Sequence, residues 1–64
     1  MLAYYRGHII LLLQDDILTA EITERASGAP LPTKISALPG ETADIVVEKA
    51  KHLIDKYLRG VLPL

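Results

Sequence analysis

The chain has no cysteine, no tryptophan and no phenylalanine among its 64 residues. Without cysteine there is no disulfide framework, no zinc ribbon and no thiol nucleophile, and an oxidising compartment is not required. Tyr4, Tyr5 and Tyr57 are the whole aromatic complement, which leaves an aliphatic core and little surface on which bases or sugars could stack. One-sided charge is missing too. Seven Lys plus Arg stand against eight Asp plus Glu, a formal net charge of −1 with no long-range field to gather phosphates or anionic lipid. Nucleic-acid binding is therefore disfavoured. The opening residues show no basic region followed by a long apolar stretch and a cleavage site, and the apolar run at 9–13 is far too short to span a bilayer. The expectation is a cytoplasmic protein with no membrane contact.

What the chain does have is that unbroken run, Ile9-Ile10-Leu11-Leu12-Leu13. The segment from Ala3 to Gln14 is rich in β-branched, aromatic and leucine side chains and is interrupted by Gly7, which predicts a first strand over about 8–14 with a bulge or bend at the glycine. Asp15-Asp16 supplies a polar turn. Alternation then begins, with Leu18, Ala20 and Ile22 on one face and Thr19, Glu21 and Thr23 on the other, a half-buried second strand over about 17–25 paired to the first by a tight hairpin. Ala26 to Pro32 reads as a loop because its two prolines cannot donate to a ladder, and a short third strand follows at about 33–38.

Pro39-Gly40 closes that strand, and Thr42 is placed to cap a helix over about 42–59 with Asp44 in its first turn. Ala43, Val46, Val47, Ala50, Leu53, Ile54, Tyr57 and Leu58 recur at spacings of three and four, one apolar stripe along four to five turns. Lys51 with Asp55, and Asp55 with Arg59, are spaced for surface ion pairs worth about 0.3–0.5 kcal/mol each. Gly60 is the stop, and 60–64 form an apolar C-terminal tail in which Pro63 blocks continuation. The fold class expected is a single small α+β domain spanning 1–64, a three-stranded antiparallel sheet followed by one long C-terminal helix packed on one face, in the order β-β-β-α.

One helix cannot cover a strand that is apolar on both faces. Leaving two or three large aliphatic side chains wet forfeits about 1.5–3 kcal/mol apiece, and a domain of this size has little stability to spare. Three covers are available: a second copy, a different protein, or the tail Val61-Leu62-Pro63-Leu64 folded back. A homodimer, formed through sheet faces or edge strands, is the favoured cover. Ile10 and Leu12, pointing opposite to Ile9, Leu11 and Leu13, form the candidate association surface, together with Ile45, which falls outside the helix stripe.

No reaction is announced. Catalytic, cofactor-binding and metal-binding residues are all assigned as none, and enzyme activity is not expected. His8 and His52 would have to converge with a carboxylate such as Glu48 to hold zinc, yet one starts a strand and the other sits on the polar helix face. Asp15 and Asp16 read as turn residues, and no phosphate loop, dinucleotide fingerprint, nucleophile elbow or metalloprotease motif is present.

Two resemblances are carried by particular residues. Tyr5-Arg6-Gly7, Ala20-Glu21-Ile22 and Glu41-Thr42-Ala43 resemble segments of the plant ethylene-response-factor DNA-binding domain, whose topology is also three strands and a helix. Those domains look to arginine and tryptophan on the strands for base and phosphate contacts, whereas the outward positions here carry Thr19, Glu21, Thr23 and aliphatics. The resemblance bears on fold. Glu41-Thr42 followed by Val46, Val47, Ala50, Leu53, Ile54 and Tyr57-Leu58 is similar to the helix of the small domains of HicB-like antitoxins, over about twenty residues. The functional expectation is a small non-enzymatic interaction or regulatory module acting through an apolar sheet surface. The alternatives are a nucleic-acid-associated regulator of antitoxin or sheet-reading type, and a small-ligand binder at a dimer interface.

Overall fold

A computed structural model describes residues 1–60, which fold as β1 (Leu2–Tyr5), β2 (His8–Gln14), β3 (Leu18–Glu24), β4 (Ile35–Ser36) and α1 (Ala43–Leu58). The strands make one antiparallel sheet in the order β1-β2-β3-β4, with the helix packed on one face. The α+β class and the single C-terminal helix are as expected. The tail 61–64, named above as one cover for the apolar strand, lies outside the described residues.

The sheet has one strand more than expected, and the reason is local. Gly7 does not bend a single long strand; with Arg6 it forms the two-residue connection of a hairpin. Arg6 has φ 47° and Gly7 φ 78°, the pair of left-handed conformations of a type I′ turn, whose twist matches that of the flanking strands. The chain reverses there, so Leu2 pairs with Leu11, Ala3 with Ile10, Tyr4 with Ile9 and Tyr5 with His8.

The β2–β3 connection is the three residues Asp15-Asp16-Ile17, so β3 begins at Leu18 rather than at Ile17. Its partner β4 is shorter than the expected 33–38. The segment touches β3 at two places: Pro30 bridges Thr23 and the Leu31 N–H donates to the Ile22 carbonyl (2.8 Å), then Ile35 and Ser36 pair with Ala20 and Thr19. Pro32 lies between these two points and has no N–H to donate, so a continuous ladder is not formed.

The helix follows its apolar stripe except at Leu58, which is exposed in the last turn. Val46, Ala50 and Ile54 are fully buried, and Ala43, Val47, Leu53 and Tyr57 pack against them. Thr42 has N-cap backbone geometry but its hydroxyl makes no capping hydrogen bond. The helix entrance is held by Glu41, whose carboxylate accepts from the Leu38 N–H (2.7 Å) and from Lys49. Gly60, at φ 71°, follows the last turn as a left-handed stop.

The core lies between α1 and the even-numbered residues of β2 and β3. Ile10 is opposite Ile22 and Leu12 opposite Ala20, and all four are buried together with Leu31, Val46, Ala50 and Ile54. This reverses the face assignment made from sequence: Ile10 and Leu12 point at the helix and are internal. The side chains left on the other face are those of Ile9, Leu11 and Leu13. Strict alternation along a strand dictates that only one set can face the helix, and the register with Ala20 and Ile22 decides which.

Candidate association surface

The helix-free face is built from four strands. β1 contributes Leu2 and Tyr4, β2 contributes Ile9, Leu11 and Leu13, β3 contributes Thr19, Glu21 and Thr23, and β4 contributes Ser36. Leu2 stands across from Leu11 and Tyr4 across from Ile9, so the apolar residues form one patch along β1 and β2. Leu2 is 53% exposed, Tyr4 62% and Leu13 39%, while Ile9 and Leu11 are half-buried by their neighbours. The β3–β4 half is polar, with Lys34 paired to Glu21 at 3.1 Å. Arg25 lies with its guanidinium carbon 5.7 Å from the centre of the Tyr4 ring, a cation–π contact at the border between the two halves.

Ile45 does not join this surface. It is 42% exposed on α1, and α1 packs on the opposite side of the sheet. Of the three residues expected to associate, two are therefore core and one is an isolated apolar side chain on the helix. Leu2 and Tyr4 are absent from the expected surface because the sequence pattern runs β1 into β2 across Gly7. The legible signal was two apolar runs separated by two residues ending in glycine, which is the spacing of a hairpin.

Behind the face, a polar cluster fastens the β1–β2 hairpin to the helix. Asp55 accepts from the Arg6 guanidinium at 2.8 Å and from the Tyr5 hydroxyl at 3.0 and 3.1 Å. The hydrogen bond from Arg6 holds the Asp55 carboxyl below its ordinary pKa, and the Tyr5 hydroxyl, bonded to that carboxylate, titrates above its own. Lys51 sits 5.5 Å from the centre of the Tyr5 ring and pairs with Glu48 rather than Asp55. The pairings expected along the helix, Lys51 with Asp55 and Asp55 with Arg59, give way to this tertiary contact because an Arg–carboxylate hydrogen bond supported by a tyrosine hydroxyl is stronger than an isolated surface pair.

His8 is 2% exposed, on the helix side of the sheet. Its Nδ1 lies 2.9 Å from the Arg6 carbonyl; a carbonyl only accepts, so Nδ1 carries the proton and supports the turn. Nε2 has no hydrogen-bond partner among the described residues. His52 is exposed on α1, and no three His, Asp or Glu side chains among the described residues converge as metal ligands. Asp15 and Asp16 are exposed in the β2–β3 connection, near a shallow depression lined by Ile17, Leu18, Leu38 and Thr42. No helix among the described residues is long and apolar enough to cross a membrane.

Comparisons with protein-family models, with curated proteins and with solved structures return no match for this chain.

Proposed function

We propose that this chain is a small, non-enzymatic protein-association module that pairs with a second copy of itself through the β1–β2 half of its sheet. The observation that carries this reading is the patch of Leu2, Tyr4, Ile9, Leu11 and Leu13 on a face that the chain's own helix does not cover. The polar clusters have structural duties that support the same reading: Arg6, Tyr5 and Asp55 fasten hairpin to helix, and Glu41 with Lys49 orders the helix entrance.

The driving force is modest. Pairing through this half covers part of what remains exposed on Leu2 and Tyr4, at about 1.5–3 kcal/mol for each side chain fully covered, against a comparable loss of freedom on association. The dimer is therefore concentration-dependent. Sedimentation equilibrium of the chain beside the double variant Leu2→Glu, Tyr4→Glu tests the reading. The expected result is a mass near twice the 7.0 kDa chain for the unaltered protein and a monomer for the variant, with Ile45→Glu behaving as the unaltered protein. A variant that keeps the full association would show that β1 takes no part in the contact.

A further inference from the structure

We infer that the two copies join edge to edge, β1 pairing antiparallel with β1 of the second copy about a twofold axis that passes through Ala3. This rests on the association reading above and specifies how the contact is made.

The backbone of β1 supplies the first argument. The Leu12 N–H donates to the Met1 carbonyl at 2.9 Å, so Met1 and Leu12 are a hydrogen-bonded pair, and by antiparallel alternation Ala3 with Ile10 and Tyr5 with His8 are too. The N–H and carbonyl groups of Leu2 and Tyr4 consequently point away from β2, off the free edge. Placing Leu2 opposite Tyr4 of the second copy engages both residues of both copies. The other symmetric registers, Leu2 on Leu2 or Tyr4 on Tyr4, engage only one residue from each. In the favoured register Ala3 meets Ala3 as a non-hydrogen-bonded pair, the closer of the two pair types, and a methyl group is small enough to sit on the axis.

The two edges of the sheet differ in a second way. β4 is two residues long, with Pro32 before it and Pro39 after it and Lys34 at its entrance, the devices that blunt a strand edge. β1 has none: Leu-Ala-Tyr-Tyr contains no proline, no charge and no bulge.

The third argument is the result of the pairing. In one chain the apolar patch lies at the margin of the sheet, with the polar β3–β4 half on one side only. Joining two chains at β1 moves it to the middle of an eight-stranded surface, β2-β1-β1-β2 apolar and β3 polar on both flanks. Leu2 of each copy then lies across the junction from Tyr4 of the other, an apolar cross-strand pair on the helix-free face.

Tyr4→Pro removes an N–H that serves no bond among the described residues, with Tyr4→Thr as the control that loses the ring and keeps the N–H. Edge pairing predicts that the proline variant weakens the dimer by about a hundredfold or more relative to the threonine control, and that Leu11→Glu leaves the dimer intact. Because the chain has no cysteine, Ala3→Cys provides an independent readout: Cα atoms in such a pair fall within disulfide range, and mild oxidation should give a covalent dimer. Loss of the dimer in Leu11→Glu with retention in Tyr4→Pro, and no covalent dimer from Ala3→Cys, would overturn edge pairing in favour of stacked faces while leaving the association reading standing. A monomeric unaltered chain would overturn both.

Discussion

Ile54→Ala tests the packing of helix on sheet where it is tightest. Ile54 is fully buried, beneath the helix and against a sheet face carrying Ile10 and Ile22. The substitution deletes three carbons, about 2.5 kcal/mol at roughly 0.8 kcal/mol per buried methylene. The residual cavity adds to this, and measured Ile→Ala losses run from about 2 to 5 kcal/mol. A loss of about 3 kcal/mol is the expectation. For a 64-residue domain with a total stability of about 3–10 kcal/mol, that is a large share, equivalent to a fall of about 12–24 °C in Tm. Urea unfolding followed by helical circular dichroism measures it, at one fixed protein concentration because association shifts apparent stability. Leu53→Ala is the internal comparison: Leu53 is only half-buried, so its loss should be clearly smaller. Ile45→Ala should stay within about 0.5 kcal/mol. Equal losses at Ile54 and Ile45 would refute the packing described here.

Acid should weaken the fold through two carboxylates. Asp55, held down mainly by Arg6, and Glu41, held down mainly by Lys49, both have folded pKa values below their ordinary 3.8 and 4.5. Their contribution is fully present above those values and is lost as pH falls through the lower folded ones, so the urea midpoint should drop as pH passes about 4.5 and continue to fall below 3.8. Asp55→Asn should flatten part of that drop, and an unchanged acid profile would contradict the cluster. At the β1–β2 turn, Gly7→Ala should cost about 1 kcal/mol, since an added Cβ meets nothing within 4 Å and the cost is that of a left-handed conformation alone. Gly7→Asn should cost less, because asparagine tolerates this region better than alanine. A neutral Gly7→Ala, by thermal unfolding, would mean that the turn is not type I′.

Much of the fold was legible because two periods are strong in this chain. The three- and four-residue recurrence from Ala43 to Leu58 places the helix within a residue at each end, and the alternation from Leu18 to Thr23 places β3. The run at 9–13 carries no such period: with aliphatic residues on both faces, nothing in it says which set meets the helix, and only the pairing of Ile10 with Ile22 and Leu12 with Ala20 decides. β1 was hidden for a different reason. A type I′ turn ordinarily uses asparagine, aspartate or glycine at its first position, and here that position is Arg6. The conformation is held by contacts far along the chain, Asp55 on the guanidinium and His8 on the carbonyl. The association surface inherited both errors, since it depends on the face of β2 and on the existence of β1. The shortness of β4 was half-visible in its prolines, but its split contact with β3 was not.

The most direct measurement is the solution mass of the unaltered chain by light scattering along a dilution series at moderate salt. Self-association through the β1–β2 half of the sheet predicts a mass that rises with concentration from 7.0 kDa toward twice that value and then levels off. A mass that stays at one chain at every concentration would contradict it.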